Sequence, residues 1–287
     1  MSSTSILDIP QELTENALVL ADPRDVASFA QTCRSARALV YEQRDQHLWR
    51  RLFLEQPYDD PRRAFNSDFR STTDADSATI DWKKALQQRV YAMRILQRMN
   101  SHPPELATAL ETLISVARNA PSMPLQTDES KDLIWLNGLA RENNIFGLAT
   151  SSEHPWAFEE LQRISELWAL IGWRDSVLNR AGTDILAARN RARAFVYDMR
   201  NYDRENYWGP FLSDRTGRVN WQHIEEIITV IYSNLMDLGG LWPDTRPPAR
   251  LDAIRAYSAP RSHTRDPRDW AGVEGTWRRY VCFMDYR

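Results

Sequence analysis

The chain has 287 residues, 43% hydrophobic and 26% charged, with a formal net charge of −3 and a pI near 6.0. These proportions suit a folded chain with room for one large domain or two ordinary ones, and they exclude a wholly disordered or collagen-like one. They also exclude the global basic field that drives sequence-independent nucleic-acid binding by counterion release, so no nucleic-acid partner is expected.

Residues 1 to 10 hold neither a basic leader nor a long apolar run, and no later stretch is apolar enough to span a bilayer. The expectation is a protein of the cytoplasm or nucleus without a membrane partner. Cys33 and Cys282 are the two cysteines, each alone in its neighbourhood. Neither a disulfide framework nor a CxxC zinc site can be built from them, and both are expected as reduced packing thiols.

Residues 5 to 60 read as a compact module of three short helices. Pro10 opens the first, with Glu12 and Glu15 near the positive end of its dipole and Leu13 and Leu18 on its apolar side. Asp22-Pro23-Arg24-Asp25 stops that helix and starts a second, in which Val26, Phe29, Ala30 and Cys33 recur at helical spacing. The third closes on Leu48, Trp49, Leu52 and Phe53. Residues 61 to 80 read as a linker or loop, because 66 to 79 carry one large apolar residue, Phe69, and bury too little to offset their ordering entropy.

Residues 81 to 240 read as a larger helical domain. Trp82, Leu86, Val90, Met93 and Leu96 share one side of a helix whose other side carries arginines. Leu106, Leu110, Leu113 and Ala117 make the next stripe, bounded by proline-containing breaks. Phe158, Leu161, Ile164, Trp168 and Ile171 mark another, followed by Ile185, Ala188, Ala192, Phe195, Val196 and Met199. Residues 221 to 238 combine an N-cap at Asn220, a stripe of Ile224, Ile227, Ile228, Ile231, Leu235 and Leu238, and a stop at Gly239-Gly240. Residues 241 to 270, rich in proline, arginine and aspartate, read as an irregular excursion, and 277 to 284 as a strand. The fold class is thus mainly α, with a short C-terminal β segment inside 241 to 287.

Chemistry-bearing constellations are sparse. The histidines 47, 102, 154, 223 and 263 are scattered, no glycine-rich phosphate loop or GxSxG elbow occurs, and no cofactor, metal ligand set or catalytic residue is expected. His223 with Glu225-Glu226 is the nearest approach to an acid/base cluster, and at a helix start it reads more simply as dipole compensation. A pocket of convergent polar groups around Trp208, Trp221 and His223 would point to an enzyme instead. Of the eleven tryptophans nine lie beyond residue 130, and most are expected in the core, with an exposed subset free to form a binding face.

The N-terminal pattern resembles an F-box. Leu7-Asp8-Ile9-Pro10-Gln11-Glu12-Leu13 is similar to the family's opening Leu-Pro-x-Glu-Leu, Leu18 falls on its first-helix leucine, and Asp22-Pro23-Arg24-Asp25-Val26 on its Asp-Pro-x-Asp-Leu turn. Ala30, Cys33-Arg34 and Leu48-Trp49 also fall in place. The remainder resembles the region after the F-box in many basidiomycete fungal proteins, through Val196-Tyr197-Asp198-Met199-Arg200-Asn201-Tyr202, Trp208-Gly209-Pro210-Phe211-Leu212, Gly217-Arg218-Val219-Asn220-Trp221 and Gly275-Thr276-Trp277.

The resemblance implies a non-enzymatic, substrate-recruiting subunit of an SCF (cullin-RING) ubiquitin ligase. The F-box would dock on a Skp-family adaptor of the cullin ligase core, with Leu7, Ile9, Pro10, Glu12, Leu13, Leu18, Pro23 and Val26 as the adaptor-binding residues, while the larger domain holds a protein substrate that the sequence does not name. Ala17 and Ala21 stand where the family usually has larger aliphatic residues, each a loss of about 1 to 2 kcal/mol of apolar burial at a partner-facing position. The alternative is a helical interaction scaffold with a decayed F-box. Lys83, Lys84 and Lys131 are the only lysines beside 33 arginines. Codon usage of a GC-rich genome accounts for the imbalance, and lysine scarcity would also spare a ligase subunit from modifying itself.

Limited proteolysis is expected to nick the chain first between residues 66 and 79. First cuts elsewhere, with this stretch intact, would remove the linker from the reading.

Overall fold

The computed structural model describes residues 9–43, 45–63, 80–98, 103–120, 130–148, 157–171 and 185–237. The expected linker at 66 to 79, the excursion at 241 to 270, the terminal strand and Cys282 lie outside them.

Four helices, not three, build the N-terminal module: α1 (Gln11–Val19), α2 (Pro23–Ala30), α3 (Arg34–Tyr41) and α4 (His47–Glu55). The additional one is α3, which buries only Ala36 and Val40. Its N-cap is Cys33, whose Sγ accepts the Ala36 N–H at 3.4 Å. The thiol is exposed, so the expected packing role is corrected to a cap. Leu52 and Phe53 of α4 are completely buried under α1 to α3, and the Trp49 indole donates to the Val40 carbonyl at 2.9 Å.

Among the described residues seven further helices come after the module: α5 (Trp82–Leu96), α6 (Pro103–Asn119), α7 (Lys131–Glu142), α8 (Ile145–Leu148), α9 (Phe158–Ile171), α10 (Ile185–Val196) and α11 (Trp221–Asp237). They pack side by side in the order α5, α6, α9, α11, α10, with α7 and α8 across α6 and α9. Leu106, Leu110, Leu113 and Ala117 are buried as their spacing requires, against Ile164, Leu167 and Trp168 of α9. Phe158, at the start of the α9 stripe, is exposed instead, and Met199 lies beyond the end of α10. Asn220 caps α11 as expected, its Oδ1 accepting the His223 N–H at 3.3 Å. On that helix Val230 is buried and Ile231 exposed, which rotates the inward face by one residue from the expected stripe.

Helix α5 serves two cores. Its first half contributes Trp82 and Leu86 to the module's core, and its second half contributes Ala92, Ile95 and Leu96 to the core of the larger array. Packing therefore does not stop at residue 60, where the module was expected to end. Trp135 of α7 touches both cores and meets the Tyr58 ring edge-on, with centroids 5.2 Å apart.

The hinge of this joint is a buried arginine. Arg89 of α5 was expected on a solvated face; its guanidinium instead lies over Phe53 and Tyr58, at 4.7 and 4.8 Å, and donates through Nη2 to both oxygens of Asp132 at 3.1 and 3.0 Å. Asp59, also buried, accepts from the Ser130 hydroxyl and from the N–H groups of Lys131 and Asp132 at 3.2 and 3.1 Å, holding the N-terminus of α7. A carboxylate at that end of a helix dipole is well placed.

Between α10 and α11 the chain makes an ordered excursion over residues 197 to 220. Its second half closes through one antiparallel bridge, Phe211 to Val219, and the only glycine among the described residues with a positive φ, Gly217 at 73°, lies inside that return. Tyr207 and Trp208 are consecutive non-glycine residues in the left-handed region, at 55° and 59°. Each such residue costs about 1 to 2 kcal/mol.

Burial pushes the Asp132 carboxyl up to about 6, outweighing the pull of Arg89, and the neighbouring Asp59 charge adds to the rise. An unfolded aspartate titrates near 3.9. Between about pH 4 and 6 the folded chain therefore holds a proton that the unfolded chain has lost, and this contribution to stability is lost as pH rises through that window. Denaturant unfolding followed across it is expected to show the decline in the wild type, about 2 to 3 kcal/mol in total, and a flatter profile in Asp132→Asn. Arg89→Ala, which strands the buried carboxylate, is expected to cost about 3 to 5 kcal/mol at neutral pH.

Candidate functional site

Helix α1 starts without a side-chain cap: the Pro10 carbonyl accepts from Leu13 and Thr14 N–H, at 3.0 and 3.3 Å. Proline supplies the fixed φ that leads into the first turn, and Glu12 sits where the dipole favours it. The helix then divides its apolar residues between two faces. Thr14, Leu18 and Val19 turn inward and are buried. Ile9, Leu13 and Leu20 turn outward, 39%, 56% and 83% exposed, with Ala17 exposed between them.

This separation sorts the expected site residues. Ile9, Pro10, Glu12 and Leu13 are on the surface and adjacent along one end of the module. Pro23 is half-buried at the first position of α2. Leu18 and Val26, at 8% and 1% exposure, belong to the module's own core and offer no free side chain for a partner. Leu7 lies outside the described residues. Leu20 was missed, although the spacing 13, 17, 20 already puts it on one helical face with Leu13.

The face is held rigidly from behind. Asp22 caps α2, its Oδ1 accepting the Arg24 N–H at 2.8 Å. Arg51 of α4 donates to Asn16, and the His47 ring lies 3.5 Å from the Glu15 carboxylate, so two polar contacts join α1 to α4.

Elsewhere the polar groups nearest to an acid/base cluster are held in structural contacts. His223 is buried against Phe195 and Tyr202, its Nε2 3.0 Å from the Tyr202 hydroxyl, and burial lowers its basicity. The Tyr202 hydroxyl donates to the Val196 carbonyl, so the ring nitrogen facing it carries the proton. Glu225 accepts the Ser165 hydroxyl at 2.6 Å and Glu226 pairs with Arg191 at 3.3 Å. Trp208 is exposed while His223 is buried. A cleft of about 400 Å³ lies between α5 and α6, bordered by Arg89 and Asp132. On its α6 wall Thr108 and Thr112 donate their hydroxyl protons to the Pro104 and Thr108 carbonyls. Among the described residues no three His, Cys, Asp or Glu side chains gather to hold a metal ion, and no helix is long and apolar enough to cross a membrane.

A short module of packed helices, opened by Ile9-Pro10 and turned by Asp22-Pro23, with apolar residues left outside, is the arrangement in which comparison with known families is decisive. The F-box-like family matches residues 6–55. The chain carries an F-box-like domain. Its helices α1 to α4 fill the matched span, and α5 completes the F-box-like core from outside it. No curated protein and no solved structure matches the chain.

Asp22→Ala removes the cap that sets the entry angle of α2, and is expected to lower stability by about 1 kcal/mol, read as a shifted denaturation midpoint at unchanged slope.

Proposed function

We propose that this chain is a substrate-recruiting subunit of an SCF-type ubiquitin ligase, docking through its F-box-like domain on a Skp-family adaptor held by a cullin core. F-box domains generally bind adaptors of this kind, and the matched span supports the class. The observation that carries the reading is the outer stripe of α1. Ile9, Leu13 and Leu20 expose apolar surface that the module's own core does not use. An apolar stripe on a rigid element, bordered by Pro10 and Glu12, suits a helical partner more than water. The contact set then narrows to Ile9, Pro10, Glu12, Leu13 and Leu20, with Pro23 at its border.

In this role the chain makes and breaks no bond itself. It raises the effective concentration of substrate lysines near a ubiquitin thioester. The role places it in the cytoplasm or nucleus, and the sequence blocks after the F-box-like domain favour a fungal, basidiomycete-type member. Ala17, small and exposed in the middle of the stripe, favours the second reading of a helical scaffold whose F-box no longer holds an adaptor.

Co-expression with a fungal Skp-family adaptor and pull-down separates the two. Leu13→Asp is expected to weaken binding by about thirtyfold or more with helical content unchanged, because it sets an unpaired charge in a small apolar contact. Val26→Asp is expected to unfold the module itself, since Val26 is in its core. Wild-type affinity in Leu13→Asp rejects this face; failure of the unaltered chain to bind favours the scaffold.

A further inference from the structure

We propose that the cleft between α5 and α6 binds a neutral small molecule that carries an amide and an apolar portion. Its volume of about 400 Å³ falls in the range of small-molecule sites. Ile80, Ala85 and Val116 give part of its lining an apolar character, and the buried guanidinium of Arg89 borders it beside the buried Asp132 carboxyl. Arg89 gives Nη2 to Asp132 at 3.1 and 3.0 Å, and its Nε is enclosed by the protein. Nη1 makes no hydrogen bond among the described residues and is not enclosed, so it is the guanidinium nitrogen left to a ligand in the cleft. A donor there requires a carbonyl or a similar acceptor on the ligand.

The α6 wall has the opposite polarity. Thr108 and Thr112 spend their hydroxyl protons on the Pro104 and Thr108 carbonyls, and Asn119 spends its Nδ2 on the Ser115 carbonyl at 2.8 Å. What these three side chains keep for the cleft is acceptor oxygen. Ser115 beside them retains a hydroxyl that can give or accept. One donor against a row of acceptors fits a ligand whose carbonyl and N–H point in opposite directions, as the two groups of a secondary amide do. Charge narrows the class further. The Arg89 charge is met by Asp132 at 3.0 Å, and that of exposed Glu111 by Arg163 at 2.8 Å, so neither an anion nor a cation finds an unanswered counter-charge. An ionised group taken from water without one is costly, and the ligand is therefore neutral. Because Arg89 and Asp132 belong to both the cleft and the joint, an occupied cleft stabilises the contact between the F-box-like domain and the larger array. The proposal goes beyond the ligase reading and does not depend on adaptor docking.

The test screens the full chain by ligand-observed NMR against ring-bearing secondary amides and lactams, polyols, carboxylates and primary amines, with capped tripeptides as the probe for a chain segment. The amides and lactams are expected to bind about tenfold more tightly than either charged set. Ser115→Trp, at an exposed position of the α6 wall, fills the cleft and is expected to weaken that binding about tenfold or more. Thr112→Val keeps the shape but removes an acceptor, and is expected to weaken it about fivefold. Unchanged helical circular dichroism separates a lost site from a lost fold, and Thr112→Val decides if Ser115→Trp does not fold. Leu13→Asp is expected to leave the amide binding unchanged while losing the adaptor, so the two readings fail separately. No binding by any set, tighter binding by charged fragments, polyols or tripeptides, or amide binding that survives either α6 substitution would each overturn the proposal.

Discussion

The ion pair between Arg89 and Asp132 is the constraint on which the joint depends. A guanidinium taken from water needs a counter-charge and acceptors for its donors; here Nη2 finds a carboxylate from α7 and the guanidinium lies over two aromatic faces of the module, on a helix, α5, that already spans both cores, while the buried Nε has no acceptor among the described residues. Replacing such a pair by apolar residues is often neutral for stability, so its value lies in geometry. It ties α5, α7 and the segment carrying Tyr58 and Asp59 to one another. The F-box-like domain and the larger array are thereby held in a fixed mutual orientation rather than joined by a free tether.

That rigidity bears on the recruiting role proposed above. Effective concentration depends on how the distance between two binding faces is set, and a stiff connection fixes it more tightly than a flexible linker. The outer stripe of α1 lies on the module's side of the joint and α6 to α11 on the other.

The stripes at 106 to 117 and the cap at Asn220 were legible in the sequence because their signals are local: spacing, a cap and a proline within a few residues. Helix α7 was not, since Asp132, Asn137 and Gly138 interrupt its apolar spacing, and Asp132 is buried for a reason that lies 43 residues away on α5. Helix α3 escaped because it is only two turns long and its apolar residues crowd into its second half, where only Ala36 and Val40 are fully buried. The position of Arg89 was invisible for the same cause as Asp132: charge is assigned outward until a distant partner turns it in. The site was half legible. The motif placed the face on α1, but motif positions do not tell which of Leu13 and Leu18 looks outward; that depends on how α1 rotates onto α4.

The three lysines carry a practical consequence. Lys83, Lys84 and Lys131 all stand in the first turns of α5 and α7, at the joint, and the Lys83 ammonium lies 4.9 Å from the centre of the Tyr41 ring. An amine-directed acylating reagent or a lysine-specific endoprotease applied to this protein therefore samples one place along the side chains of the whole molecule. Lys84 and Lys131 are exposed and Lys83 is half-buried, so Lys83 is the amine whose labelling would rise if the start of α5 lifted from the Tyr41 and Trp49 rings.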